Sequence, residues 1–170
     1  MRQDEALAVA AEASELADAD RLAEAELRYR EAIARADPRH YRTPDIHLEY
    51  AAVLTRLDRW NDAGLQYERA LQLELQNDPD ESQAMTLTLR YLLGEHYLRL
   101  GDAESARRVI APSLTSPKPL AWIVEAEALY LSGSPDQARQ AGERALSLAD
   151  GEQRERIRER LAELWDVVAE

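Results

Sequence analysis

Residues 93–110 run Leu93-Gly94-Glu95-His96-Tyr97-Leu98-Arg99-Leu100-Gly101-Asp102-Ala103-Glu104-Ser105-Ala106-Arg107-Arg108-Val109-Ile110. Two short motifs stand in this stretch: Leu93-Gly94-x2-Tyr97, then Gly101-x4-Ala106-x3-Ile110. Both have helical spacing, and Gly101-Asp102 between them ends one helix and starts another. The second motif returns on either side. Upstream it is Asp20-x4-Ala25-x3-Tyr29-x2-Ala32 and Asp58-x4-Ala63-x3-Tyr67-x2-Ala70; downstream it is Gly133-x4-Ala138-x3-Gly142-x2-Ala145. Ahead of each copy lies a partner motif with a small residue in mid-helix: Ala13-x2-Leu16, Ala51-x2-Leu54 and Trp122-x3-Ala126-x2-Leu129.

Small side chains at matched positions let two antiparallel helices approach closely, with larger neighbours filling the gaps on either side. Each hairpin then keeps an uncovered apolar face, which only the next hairpin can bury. The breakers fit this plan. Asp37-Pro38, Thr43-Pro44, Asn77-Asp78-Pro79, Gly101-Asp102, Ser116-Pro117-Lys118-Pro119, Ser132-Gly133-Ser134-Pro135 and Asp150-Gly151 delimit helices near 4–18, 21–37, 44–57, 60–77, 80–100, 102–115, 118–131, 135–149 and 152–169. Thr43 and Ser134 precede proline as N-cap candidates, and Asp20, Asp58, Asp102 and Asp150 are further helix-start candidates. Pro112 falls inside the sixth predicted helix and is expected to kink or shorten it.

The composition agrees. Among 170 residues there are 29 Ala and 25 Leu against 16 Val, Ile and Thr together, which favours helix over sheet. The fold class expected is therefore all-α, as one domain spanning 1–170. A net charge of −12 disfavours nucleic acid and anionic membrane surfaces as main partners. Without cysteine, disulfides, thiolate zinc sites and thiol nucleophiles are excluded. No apolar run approaches a membrane span and no secretory leader is evident, so a cytoplasmic location without membrane insertion is expected. Twenty of the 21 basic residues are arginine; Lys118 is the exception.

The repeat resembles the tetratricopeptide repeat family, whose signature is W-x2-L-G-x2-Y, A-x3-F and P over 34 residues. Four divergent copies cover about 5–38, 44–79, 82–115 and 118–150, and 82–115 is the nearest match. The equivalent alanines Ala25, Ala63, Ala106 and Ala138 are spaced 38, 43 and 32 residues apart, so the array departs from a uniform period. The resemblance implies a right-handed superhelical array of antiparallel helix hairpins, an α-solenoid. A ninth helix, 152–169, breaks the repeat: Ile157, Leu161, Leu164, Trp165 and Val168 form its apolar stripe, and it is expected to cap the array.

Chemistry is sparse. His40, His47 and His96 lack a second ligand at metal spacing, so surface or interhelical packing accounts for them, and no metal or cofactor is expected. Ser132-Gly133-Ser134 breaks a helix and is no nucleophile elbow. Glu125 and Glu127 carry no catalytic signature, so the chain is not expected to be an enzyme. What the resemblance implies instead is a concave groove lined by the first helix of each pair, which holds a peptide or partner protein. Its residues here are Leu48, Arg56, Tyr91, Glu95, Arg99, Leu120, Ile123, Glu127 and Tyr130, with Tyr91 and Tyr130 as aromatic anchors. The carboxylate-gripping clamp of the family's chaperone-binding members is missing, since its places are Ala10, Ser14, Leu48, Glu49, Tyr91 and Leu92. An extended or helical segment with apolar anchors and at least one basic residue is the expected occupant. Packing between adjacent hairpins or against the C-terminal helix explains Leu48, Leu98 and Ile123 nearly as well. A homo-oligomerising scaffold, a regulatory fragment of a larger protein and, more distantly, a small helical enzyme stay open as alternatives.

Overall fold

The computed structural model describes residues 2–80 and 82–166, the side chains of 163–166 excepted. The described residues are all-α: nine α-helices and one 3-10 segment, with no strand. The chain divides into two compact units, 1–80 and 81–170.

In the first unit, α1 (Arg2–Asp18) pairs with α2 (Leu22–Arg35), and α3 (Thr43–Arg56) pairs with α4 (Trp60–Asn77), while α2 also packs on α3. Its core holds Tyr29, Ile46, Leu54 and Leu73, none more than 1% exposed. Burying side chains of this size contributes about 1.5–3 kcal/mol each. Tyr29 and Tyr50 stack with ring centroids 5.9 Å apart, and Tyr29 donates its hydroxyl to Glu49 at 3.1 Å.

In the second unit, α5 (Ala84–Arg99) pairs with α6 (Ala103–Ile110), and α7 (Leu120–Leu131) with α8 (Pro135–Leu148). A last helix, α9 (Gly151–Asp166), rests on α7 and α8. Of the stripe expected on this helix, Ile157 and Leu161 are buried; the side chains of Leu164 and Trp165, and Val168 altogether, lie outside the described residues. Pro112 has its expected effect: α6 stops at Ile110 and a 3-10 segment takes over from Ala111 to Thr115. The loop that follows carries the exposed Lys118.

The predicted small-residue ladder is buried throughout. Ala13, Ala51 and Ala126 on first helices, and Ala25, Ala63, Ala106 and Ala138 on second helices, are all 0% exposed. Gly94 is buried too, but at a junction of three helices instead of against Ala106 alone. A Cβ there would lie 2.9 Å from both Ile110 Cγ2 on α6 and Val124 Cγ1 on α7.

All four hairpin turns share one geometry. Asp20, Asp58, Gly101 and Gly133 take positive φ of 59°, 58°, 75° and 75°. Each donates its N–H three residues back, to Ala17, Thr55, Leu98 and Tyr130 at 2.9–3.1 Å. The next residue, Arg21, Arg59, Asp102 or Ser134, donates five residues back, to Leu16, Leu54, Tyr97 or Leu129 at 2.8–2.9 Å. This pair of bonds satisfies two carbonyls that the ending helix leaves without partners.

The helix-start candidates divide. Asp102 caps α6, accepting from the Ser105 N–H at 3.0 Å. Asp20 and Asp58 instead end the preceding helices. Thr43 does not cap α3 but is its first residue, and its hydroxyl donates to the Asp37 carbonyl at 2.6 Å.

Candidate partner-binding face

In the second unit, α5 and α7 are the first helices of their pairs, and both present side chains to α9. Tyr91 and Glu95 lie one turn apart on α5, and Glu127 stands on α7. Between them sits the Arg160 guanidinium from α9. Its Nη2 donates to Glu95 Oε1 at 2.6 Å, its Nη1 to the Tyr91 hydroxyl at 3.2 Å, and its Nε to Glu127 Oε1. The pairing is largely sheltered, with the Glu95 side chain 18% exposed, Glu127 15% and Arg160 33%.

Shelter sets the electrostatics. Burial pushes the Glu95 carboxyl above the usual range and the neighbouring Glu127 adds to this, while the hydrogen bond and charge of Arg160 oppose it. Burial also raises the Tyr91 hydroxyl, with Glu95 adding to it. For Arg160, burial works against the charge, yet the hydrogen bonds and charges of Glu127 and Glu95 prevail and hold it above the ordinary arginine value. One guanidinium thus compensates two carboxylates that would otherwise repel at close range in a drying environment.

The groove residues expected from sequence separate by environment. Tyr91, Glu95 and Glu127 meet at Arg160. Tyr130 and Leu120 are half-buried and pack against the core of α7, α8 and α9, whereas Ile123 belongs to that core at 3% exposure and offers no surface. Ile123 falls on the packed side of α7 because Ala126 and Leu129, one and two turns on, share its face. Arg99 is exposed at the end of α5. In the first unit, Leu48 is half-buried on α3. Arg56 ties α3 to the α1–α2 turn, donating to the Ala17 carbonyl at 2.8 Å and to Asp20 at 2.9 Å.

Glu125 and Glu127, adjacent alternates on α7, do not act as a pair. Glu125 is 8% exposed and receives Arg107 of α6 through both nitrogens Nε and Nη2 at 2.9–3.2 Å, while Glu127 turns to Arg160. His47 is 7% exposed, between helices, with its Nδ1 2.8 Å from Gln66 Oε1; burial lowers its pKa. Among the described residues, no group of three or more His, Asp or Glu is placed to hold a metal ion. Nor, among them, is any helix long and apolar enough to cross a membrane.

Arg160 was the residue that sequence reasoning passed over. It follows Ile157 by three residues and precedes Leu161, which sets it on the flank of the buried stripe instead of the solvent face. A cation there, together with Glu95 and Glu127 on expected groove positions, was the available signal.

The first unit has its own groove between first helices, α1 and α3. A cavity of about 320 Å³ is lined by Ser14, Glu15, Asp18, Arg42, Asp45 and Glu49 among others. Burial raises the Asp45 and Glu49 carboxyls, partly offset by Arg42 for Asp45 and by the Tyr29 hydrogen bond for Glu49.

No model of a known protein family matches the chain, and no curated protein matches it.

Proposed function

We propose that the chain is a non-catalytic protein-interaction module of the tetratricopeptide-like class, an adaptor or scaffold acting in the cytoplasm. In this reading the hairpins wind into a right-handed superhelix whose first helices offer a groove to a peptide or partner helix. Four turns of one geometry and a buried ladder of small residues support the class. The observation that carries the function is the seat at Tyr91, Glu95 and Glu127. First helices of two successive pairs there converge on a basic side chain beside buried aliphatics, the chemistry expected of the groove's occupant. The carboxylates most open to a catalytic reading are each neutralised by an arginine, which supports binding over catalysis.

Peptides selected by display on the immobilised full chain test this. Enriched sequences are expected to combine arginine with aliphatic residues, and to lose binding to folded Glu95→Gln, Glu127→Gln and Tyr91→Ala chains. Selected peptides that bind those three folded variants as well as the wild type would overturn the assignment of the face.

A further inference from the structure

The same seat, on the reading just proposed, is already filled by the protein's own last helix. We infer that α9 is an internal competitor: it closes the α5–α7 face through Arg160, and an arginine-bearing partner helix takes that seat when α9 leaves.

Three features support this. First, the geometry selects a guanidinium. Nε, Nη1 and Nη2 each meet a different acceptor, on two helices, through a planar fork that a lysine ammonium does not reproduce. Second, the recognised pattern is short: an aliphatic residue, arginine three positions later and a second aliphatic next to it, as Ile157, Arg160 and Leu161 present it. A helix from another protein with that pattern offers the same three groups.

Third, few of the described side chains of α9 are buried. Residues 152–156, 158 and 159 are exposed, so its described anchorage is Ile157, Leu161 and Arg160, aided by Arg154 donating to the Leu146 and Ala149 carbonyls at 3.1 and 3.0 Å. Only Ala149 and Asp150 join it to α8, and Gly151 follows at φ +43°, where an added Cβ would meet nothing within 4 Å. A short tether keeps α9 at high effective concentration, so a partner helix must outcompete a local, not a dilute, ligand. The apparent affinity of the closed protein is reduced by the fraction of molecules that are open.

The probe is a fluorescein-labelled peptide reproducing residues 150–166, titrated by anisotropy. The receiving protein is the full chain with Ile157→Ser, Arg160→Ala and Leu161→Ser, which frees the face, its helicity checked by circular dichroism. The peptide is expected to bind this variant at least about tenfold more tightly than wild type. Replacing Arg160 of the peptide by lysine or alanine, or adding Glu95→Gln and Glu127→Gln to the protein, is expected to lose about tenfold or more. Equal binding to wild type and variant, or an alanine peptide that binds as tightly, overturns the inference. Should the triple variant not fold, hydrogen exchange on wild type decides instead: amides of α9 are expected to exchange at least about a hundredfold faster than those of α7 and α8, and equal protection refutes the competitor. Display-selected peptides that bind wild type and freed chain alike would sink the competitor while leaving the interaction module intact.

Discussion

Residues 1–80 and 81–170 build the same hairpin turn from different side chains, and they treat the face of their first helices differently. Aspartate holds the left-handed position in the first unit (Asp20, Asp58), whereas glycine holds it in the second (Gly101, Gly133). The hydrogen bonds are the same, so the turn is fixed by helix termination and tolerates either residue at different cost. The acidic face of the first unit is an open groove, while that of the second is compensated by Arg160. Shared backbone geometry therefore leaves the chemistry of each face free to vary, and function is to be sought in those faces instead of in the hairpins.

The largest effect expected from breaking this comparison is at Gly94, whose close approach to both α6 and α7 belongs to the second unit. Gly94→Leu should cost about 3 kcal/mol or more by overpacking Ile110 and Val124, and Gly94→Ala should cost less because a single carbon must be accommodated. Chemical denaturation checks both, and an unchanged midpoint for the leucine variant would remove the close approach.

Next comes Arg160→Ala, expected to cost about 1–2 kcal/mol once its one-third exposure is discounted, because Glu95 and Glu127 are left facing each other. Its pH dependence has a definite sign. A carboxyl whose folded pKa is raised favours the folded state at low pH and opposes it as pH rises through that pKa. Burial already raises Glu95, and losing Arg160 raises it further, so the stability gap to wild type should narrow from pH 7 toward pH 5. A gap that widens on acidification would show that the two carboxylates are not coupled.

The turn positions give the smallest and cleanest contrast. Gly101→Ala and Gly133→Ala should each cost about 1 kcal/mol from backbone strain alone, since nothing lies within 4 Å of the added carbon. Asp58→Gly should gain about 0.5–1 kcal/mol at the equivalent turn. Thermal melts of the three variants sharpen the comparison; a destabilised Asp58→Gly would mean that its side chain contributes more than its backbone costs.

Much of the fold was legible because the hairpin is a local device. Small residues at Ala13, Ala51, Gly94 and Ala126 and at Ala25, Ala63, Ala106 and Ala138 recur in phase with the turn residues, and all eight are buried. Pro112 announced the end of α6. The caps were less legible, since Asp20, Asp58 and Asp102 are one residue type in three turns, and only the backbone angle decides whether it ends a helix or starts one. The candidate site was half legible: Tyr91, Glu95 and Glu127 were among the residues singled out and they meet in space, but Arg160, which joins them, lies 65 residues from Glu95 in an arginine-rich helix where neighbouring arginines look alike. Helical phase separates Arg160 from Arg158, whereas Arg156, one turn before Arg160 on the same face, is exposed and pairs with Glu152 at 3.2 Å. Ile123 shows the opposite limit, because an aliphatic side chain on a first helix fits a groove and a core equally well until its neighbours are placed.

The solitary ammonium side chain at Lys118, exposed just ahead of α7, has a practical corollary. Amine-directed dyes above neutral pH have one side-chain target, where a chain richer in lysine would scatter the label. A reporter attached there, read against a second introduced at the far end of α9, would turn the opening of that helix into a distance signal.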